Sequence, residues 1–320
     1  MKPSTTTTAA ATKASRKRLG VIQGLTAYLV WGAFPIYFKA VASVPASEVL
    51  VHRIIWSSVL LLAFVIITGR IKEFSAIITN GRSVAILFAA TLSLSSGWLV
   101  FIKAVADDRV LEASLGYYIT PLVSIFLGFV FLREKLSVRQ TLSVALAVAG
   151  VVLQAVMVGR LPMESLILAV TFAFYGLVRK TVRVPAVTGL TVQMLLISPL
   201  ALAFSGFVMV RGEMVFLSGV PGMDALLVLA GAVTVTPLLF HAAALQHLRL
   251  STLGFMQYIF PTVYFLLAVF LYGEPFTPAH LVSFGFIWAG LLLYSYDSLN
   301  TMRSIPFATG AVEEPEGFEI

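Results

Sequence analysis

Long apolar runs alternate with short polar connections along most of the 320-residue chain. A helix needs roughly 20 mostly apolar residues to cross the hydrocarbon core of a bilayer. Ten runs are long enough, and we place them at about 19–42, 46–68, 83–106, 110–132, 138–158, 161–180, 186–209, 222–246, 250–272 and 277–297. The pattern therefore predicts an all-α membrane protein with ten transmembrane helices.

The segments before and after these runs are polar. Residues 1–18 are rich in Thr and Ala and end in basic residues, so we expect a cytoplasmic N-terminal tail and a retained first helix. A removable transit peptide is the alternative, because this segment contains no acidic residue. Residues 298–320 become acidic towards their end and predict a soluble, cytoplasmic C-terminal tail.

The basic residues indicate how the helices are oriented. Of the 22 Lys and Arg residues, sixteen fall on the side of the N-terminus, three fall in the opposite loops and three lie within spans. Loops with an excess of Lys and Arg remain in the cytoplasm. Both termini are therefore expected in the cytoplasm, with Arg109, Arg160 and Arg211 outside.

The chain also repeats itself with a shift of 140 positions. Residues 44–64 and 184–204 are identical at nine of 21 positions, including the Val-Pro-Ala that opens each segment. Apolar composition alone does not explain matched proline and serine positions. We therefore divide the membrane portion into a first repeat at 19–158 and a second at 161–297. Because each repeat has an odd number of spans, the second should be inverted in the membrane, as in many secondary transporters.

Two prolines occupy equivalent places in the repeats. Pro121 lies in the fourth span and Pro261 in the ninth. A proline removes one backbone hydrogen bond and allows a kink. The two kinks could be joints for alternating access or could simply shape the bundle, and the sequence leaves both readings open.

Composition narrows the chemistry. Hydrophobic residues make up 59% of the chain and charged residues 12%, which suits a bilayer rather than a soluble core. There is no cysteine, the four histidines have no metal-binding spacing, and no phosphate-binding loop or GxSxG element occurs. We therefore expect no catalytic residue, metal or cofactor. The net charge of +7 lies in loops, so the expected partners are a small-molecule substrate and the lipid bilayer rather than nucleic acid, with the protein a monomer or homodimer.

Ionisable residues inside spans are costly and are candidates for function. Arg53 lies about 10 Å deep at 1.5 Å per residue, and Lys103 lies near the end of its span. The repeat pairs Arg53 with Gln193, and a shift of 138 pairs Lys103 with His241. We hypothesise that an outer and an inner polar cluster flank a central cavity and close alternately. The alternatives are snorkelling of long side chains to the interface and, for His241, ordinary helix packing.

Aromatic residues with a polar group occur inside several spans and suit a cavity for amphipathic or aromatic solutes. An interfacial aromatic belt is the competing interpretation. Taking the polar and aromatic candidates together, the predicted substrate-binding residues are Trp31, Tyr37, His52, Arg53, Trp98, Lys103, Tyr118, Tyr175, Gln193, His241, Gln257 and Tyr258.

Six segments spread over the membrane portion resemble the RarD proteins, a branch of the EamA-type drug/metabolite transporter superfamily. They are WGAFPIYFK (31–39), HRIIWS (52–57), LEASLGYYITPLV (111–123), FAFYGLVRK (172–180), LRLSTLGFMQYIFPT (248–262) and FLYGE (270–274). The resemblance implies ten helices in two EamA repeats, cytoplasmic termini and a central substrate pathway in the bacterial inner membrane. Members of this branch are commonly labelled chloramphenicol-sensitivity or chloramphenicol-resistance permeases.

The sequence thus favours a secondary transporter of small metabolites or drug-like molecules that works by alternating access through a central cavity. A proton-driven antiporter would need a titratable carboxylate in the pathway, for which Glu48 and Glu112 are shallow candidates; a facilitator would need none. A membrane scaffold and a membrane-embedded, lipid-modifying enzyme are the alternatives from other classes.

Overall fold

The computed structural model describes residues 5–133, 135–182, 184–248 and 250–304, and every regular element in these ranges is a helix. Residues 1–4 and 305–320 of the two predicted tails lie outside the described residues. The helices of the first half are α1 (Thr5–Gly32), α2 (Phe34–Ala40), α3 (Ala46–Ile67), α4 (Ile71–Ile78), α5 (Gly81–Ala106), α6 (Val110–Leu132) and α7 (Val138–Val158). Those of the second half are α8 (Met163–Lys180), α9 (Ala186–Val210), α10 (Met223–Leu245), α11 (Leu250–Met256), α12 (Ile259–Leu266) with a π-helical continuation (Leu267–Leu271), and α13 (Pro278–Ser304).

Nine helical stretches in the described ranges are long and apolar enough to cross a membrane. The remaining predicted span corresponds to α8, an 18-residue helix with charged residues near both ends. It packs against α5 and α6. The prediction of an all-helical membrane protein is confirmed.

Two of the predicted spans are interrupted helices. The first span is divided at Ala33 between α1 and α2, and the ninth is divided between α11 and α12. A proline ring clashes with the carbonyl four residues before it. Pro35 and Pro261 follow the two interruptions and place this clash at Trp31 and Gln257. By contrast, α6 continues through Pro121, so the two equivalent prolines do not have the same effect.

Short sequence features mark the first residues of several helices. Pro45 and Pro185 occupy the position before α3 and α9, with φ of −52° and −55°, so the equivalent Val-Pro-Ala segments both begin a span. Ser137 forms a capping box with Gln140 at the start of α7. This capping box pairs backbone groups that the start of a helix otherwise leaves unpaired.

The packing of α7 against α13 relates the two halves by an approximate two-fold axis. Gly150 lies against the carbonyl oxygen of Ser283, and Gly290 lies against that of Ser143. These residues differ pairwise by 140 positions, and each early residue contacts a late one, so the two helices run antiparallel. The hydroxyls of Ser58 and Ser198, also 140 apart, are within 2.7 Å of each other. The contacts are those of an inverted repeat.

The bundle has two ends that we name by a residue in each. The Arg109 face holds the connections that follow α2, α5, α7, α9 and the π-helical segment, where ion pairs join Arg109 with Glu164 and Lys39 with Asp108. The Arg179 face holds the connections that follow α3, α6, α8 and α10. There, Thr188 donates a hydrogen bond to Glu73 in α4.

Candidate functional site

A cavity of about 500 Å³ lies between the two halves of the bundle. It extends to the Arg179 face, where its lining includes Arg179, Ala186 and Leu245. No connection at the Arg109 face contributes to the described lining. Eleven of the 27 described lining residues are aromatic, namely Tyr28, Trp31, Phe34, Trp98, Phe101, Tyr117, Phe172, Tyr175, Tyr258, Phe260 and Tyr264.

The interrupted helices place part of this wall. Trp31 and Phe34 lie on either side of the first interruption, and Gln257, Tyr258 and Phe260 lie at the second. Because the helix is broken there, backbone and side chains at membrane depth can line a cavity, which is typical of transporter sites. Gly32 allows this close approach, since a Cβ atom there would lie 2.9 Å from the Cβ of Val263 in α12.

Arg53 is the charged group at the deep end of the cavity. Its residue is 2% exposed, and its guanidinium carbon lies 3.9 Å from the centre of the Trp98 ring. The rings of Phe34 and Phe38 lie at 5.3 and 5.5 Å. Its Nε and Nη1 atoms have no hydrogen-bond partner among the described residues. A cation held by aromatic faces therefore retains unused donors.

His241 lies at the cavity wall between two aromatic residues. Its ring centre is 5.7 Å from that of Tyr28 and 5.5 Å from that of Trp31. The Nδ1 atom is buried without a partner within the described ranges. Pro237, one turn earlier, is buried in the same helix and does not interrupt it. The ring therefore contacts two aromatic rings in edge and tilted geometries, and its Nδ1 remains without a partner among the described residues.

Three contacts involve the other predicted cavity residues. The hydroxyls of Tyr118 and Thr262 are 2.6 Å apart, and the Tyr118 ring is stacked with that of Tyr258 at 6.4 Å. The Tyr175 hydroxyl donates to Oε1 of Gln193 at 3.5 Å. Tyr175, Tyr258 and Gln257 line the cavity, whereas Tyr118 and Gln193 lie behind it.

Three predicted site residues lie away from the cavity. The Tyr37 hydroxyl donates to the carbonyl of Leu226 at 2.8 Å. His52 accepts a hydrogen bond from the indole of Trp56 and packs against Phe216. Lys103 has a side chain that is 67% exposed and pairs with Asp107 at 2.7 Å. These three side chains are engaged near the Arg109 face.

Of each pair of polar residues that the repeat relates, only one member therefore lines the cavity. Arg53 lines the cavity, but its counterpart Gln193 is screened from it by Tyr175. His241 lines the cavity, but its counterpart Lys103 is exposed elsewhere. Two members that the repeat placed in different clusters, Arg53 and His241, share one cavity.

Polar contacts between the halves close the Arg109 face. Arg109 of the first half is paired with Glu164 of the second. The Glu48 carboxylate accepts hydrogen bonds from the backbone nitrogens of Val215 and Phe216 at 3.0 and 2.8 Å. These contacts join the two repeats at the Arg109 end of the bundle, where no connection lines the described cavity.

Glu274 makes a further contact of this kind. Its two carboxylate oxygens accept hydrogen bonds from the backbone nitrogens of Val110 and Leu111, each at 2.7 Å, at the start of α6. A carboxylate at a helix N-terminus is favourably placed. Burial raises the pKa of the Glu274 carboxyl above its ordinary value, and the two backbone hydrogen bonds oppose that rise.

Sequence reasoning missed several lining residues. Tyr28 lies one helical turn before Trp31, so the spacing of three could have placed it on the same face. Tyr117 lies one helical turn before Pro121, and Tyr264 lies one turn after Pro261. That their side chains point into the cavity depends on how α6 and α12 pack. Arg179, a basic residue at the end of α8, also lines the cavity.

Comparisons with known proteins agree with this architecture. The model of the EamA-like transporter family matches residues 18–156 and 164–296. Protein RarD of Escherichia coli strain K12 is 42% identical over 291 residues, which cover 91% of this chain and 98% of that protein. An uncharacterized transporter of Vibrio cholerae serotype O1 is 40% identical over 289 residues, covering 88% and 93% of the two chains.

A solved crystal structure of another protein is similar in fold. The similarity covers 88% of this chain and 98% of that chain, with a TM-score of 0.54 and 18% sequence identity. At that identity the likeness concerns the fold alone. From the family match and the bacterial relatives, the chain belongs to the EamA-like transporter family and is a homologue of the RarD proteins.

Proposed function

We propose that this protein is a secondary transporter that carries small metabolites or drug-like molecules by alternating access through the aromatic cavity. The observation that carries the proposal is the asymmetry of the cavity. It extends to the Arg179 face, while contacts between the two halves cover it at the Arg109 face. Rocking of one repeat against the other would break these contacts and open the opposite end.

The distribution of Lys and Arg supports an orientation for this cycle. We place the protein in the inner membrane of a bacterium, with both termini and the Arg179 face in the cytoplasm. The Arg109 face is then external, and the described conformation is open to the inside. We expect the unit of function to be a monomer or a homodimer.

The division into domains that we propose for this cycle follows the two sequence repeats. We propose a cytoplasmic tail at 1–18, moving units at 19–158 and 161–297, and a second cytoplasmic tail at 298–320. Membership of a transporter family argues against the lipid-modifying enzyme. A scaffold would have no use for a cavity lined by unpaired polar groups.

Uptake into liposomes tests the proposal. Purified protein is reconstituted and offered amino acids, aromatic metabolites and chloramphenicol, with and without a pH gradient. We expect saturable uptake of at least one compound above that of empty liposomes. Dependence on the gradient would distinguish a proton-coupled carrier from a facilitator.

A matched pair of variants links uptake to the cavity. Ser124→Trp places an indole in the cavity, whereas Phe126→Trp changes a 48% exposed side chain of the same helix that does not line it. We expect the first variant to abolish uptake and the second to retain it. Uptake of no compound by folded protein, or equal uptake by both variants, would count against this function and favour the scaffold.

A further inference from the structure

Resting on the proposed transport function, we propose that the cavity selects small organic anions. A carboxylate would pair with Arg53, and an aromatic or aliphatic body would pack among the surrounding rings. The inference concerns the chemical class of the substrate and depends on the charges that line the cavity.

The first argument is the state of Arg53. The residue is 2% exposed, and neither Nε nor Nη1 has a partner in the described part of the chain. No Asp or Glu is among the described cavity-lining residues. A buried cation without an anion is unfavourable at membrane depth, and the aromatic faces around it offset only part of this cost. A bound anion would supply the missing charge.

The second argument is geometric. The guanidinium carbon of Arg53 lies 3.9 Å from the centre of the Trp98 ring, and Nε and Nη1 have no hydrogen-bond partner among the described residues. The guanidinium edge is the part that donates paired hydrogen bonds to a carboxylate. Packing against three rings restricts the guanidinium before a ligand binds, which reduces the loss of side-chain freedom on binding.

The third argument is the distribution of charge along the cavity. Arg179 lines the cavity near its other end, and its Nη1 is buried without a described partner. Two basic residues without a facing carboxylate among the described lining residues give the cavity a positive potential. Such a potential attracts anions and opposes cations.

The remaining wall indicates the rest of the ligand. A cavity of about 500 Å³ has room for a small metabolite, and its rings favour a flat or apolar body. His241 could direct a second polar group on that body, because its Nδ1 is buried and unpartnered among the residues described. A fatty acyl chain or a multiply charged nucleotide fits these features less well than a compact monocarboxylate does.

Matched acid and amide probes test the inference. Binding of indole-3-acetate and indole-3-acetamide, and of phenylacetate and phenylacetamide, is measured by calorimetry at neutral pH. The protein is held in phosphatidylcholine nanodiscs, so that anionic lipid headgroups cannot occupy the site. We expect each acid to bind wild type at least about tenfold more tightly than its amide, the size expected of hydrogen bonds to a charged group.

Variants assign this preference to Arg53. Arg53→Gln should reduce acid binding about tenfold or more and leave amide binding within about threefold. Arg53→Lys should retain part of the preference, because it keeps the charge and loses the planar fork. The control is Arg211→Gln, which removes a basic side chain that is 55% exposed and outside the cavity, and should behave as wild type.

The wild-type comparison keeps the inference testable if Arg53→Gln does not fold. Equal or tighter binding of the amides by wild type, or binding of neither probe class, would overturn it. So would an unchanged acid preference in folded Arg53→Gln. Uptake of neutral compounds in the liposome assay would leave the transport function standing in each case, whereas uptake of nothing would remove the transport function itself.

Discussion

Arg53 and His241 show how an apolar bundle can hold polar groups without partners. Each side chain packs against aromatic rings: Arg53 against Trp98, and His241 between Tyr28 and Trp31. Aromatic rings fill the space around these groups and offset part of the positive charge of Arg53. They do not accept or donate hydrogen bonds as a carboxylate or an amide does. Both residues line the cavity and have buried nitrogens without partners among the described residues, so a role in binding is best supported for these two.

A substitution at His241 separates packing from hydrogen bonding. His241→Phe keeps a ring between Tyr28 and Trp31 but removes both ring nitrogens. We expect the rate of liposome uptake to fall about twofold to tenfold, which corresponds to loss of one hydrogen bond of roughly 0.5–1.5 kcal/mol. The apparent Tm should change little. Wild-type uptake by the folded variant would reduce His241 to a packing residue.

At the level of whole helices, two features shape the structure: some helices are interrupted, and others pack closely against each other. The interruptions at Ala33 and before Pro261 bring side chains into the cavity. The antiparallel helices α7 and α13 instead pack closely through small residues such as Gly150 and Gly290. We infer that this pair holds the two halves together while other contacts change.

Two glycines of α13 provide a matched test of that packing. A Cβ atom at Gly290 would lie 2.8 Å from the carbonyl oxygen of Ser143, whereas one at Gly285 would meet nothing within 4 Å. Gly290→Ala should lower stability by about 1–3 kcal/mol through overpacking. Gly285→Ala should be neutral or stabilising by up to about 1 kcal/mol, because alanine favours the helix. Thermal unfolding in detergent measures both, and equal effects would contradict the tight contact.

The whole molecule consists of two related halves with one closed end. Contacts from Arg109 to Glu164 and from Glu48 to the segment after α9 all join the first half to the second. These hydrogen bonds and ion pairs lie beside buried apolar residues of both halves, such as Val44, Val110 and Met223. Water can replace the polar contacts when the halves rotate in the proposed cycle. This end is therefore suited to opening and closing, while α7 and α13 remain in contact.

Cysteine labelling tests the orientation of the molecule. The chain has no native cysteine, so a single substitution has no background. Ser218→Cys is exposed at the Arg109 face and Thr181→Cys is exposed at the Arg179 face. In intact spheroplasts we expect an impermeant maleimide to label Ser218→Cys, and to label Thr181→Cys only after permeabilisation. The reverse pattern would invert the proposed topology.

Much of this architecture follows from short stretches of sequence. Apolar run length determined the membrane spans, because only a helix of that length satisfies its backbone across lipid. The repeated Val-Pro-Ala segments marked two equivalent helix starts, and the structure has α3 and α9 begin there. Resemblance in six segments indicated the family, which the family match confirms.

The inward direction of individual side chains did not follow from the sequence. Lys103 and Arg53 both lie in spans, yet one is exposed beside Asp107 and the other is buried on Trp98. Helical period gives the relative direction of neighbouring residues, but not which neighbour each helix face meets. The apolar runs and the repeat are local or pairwise properties that the sequence alone determined. The cavity, and the presence of both Arg53 and His241 in it, were decided by the tertiary structure, because they depend on how the helices of the two halves pack together.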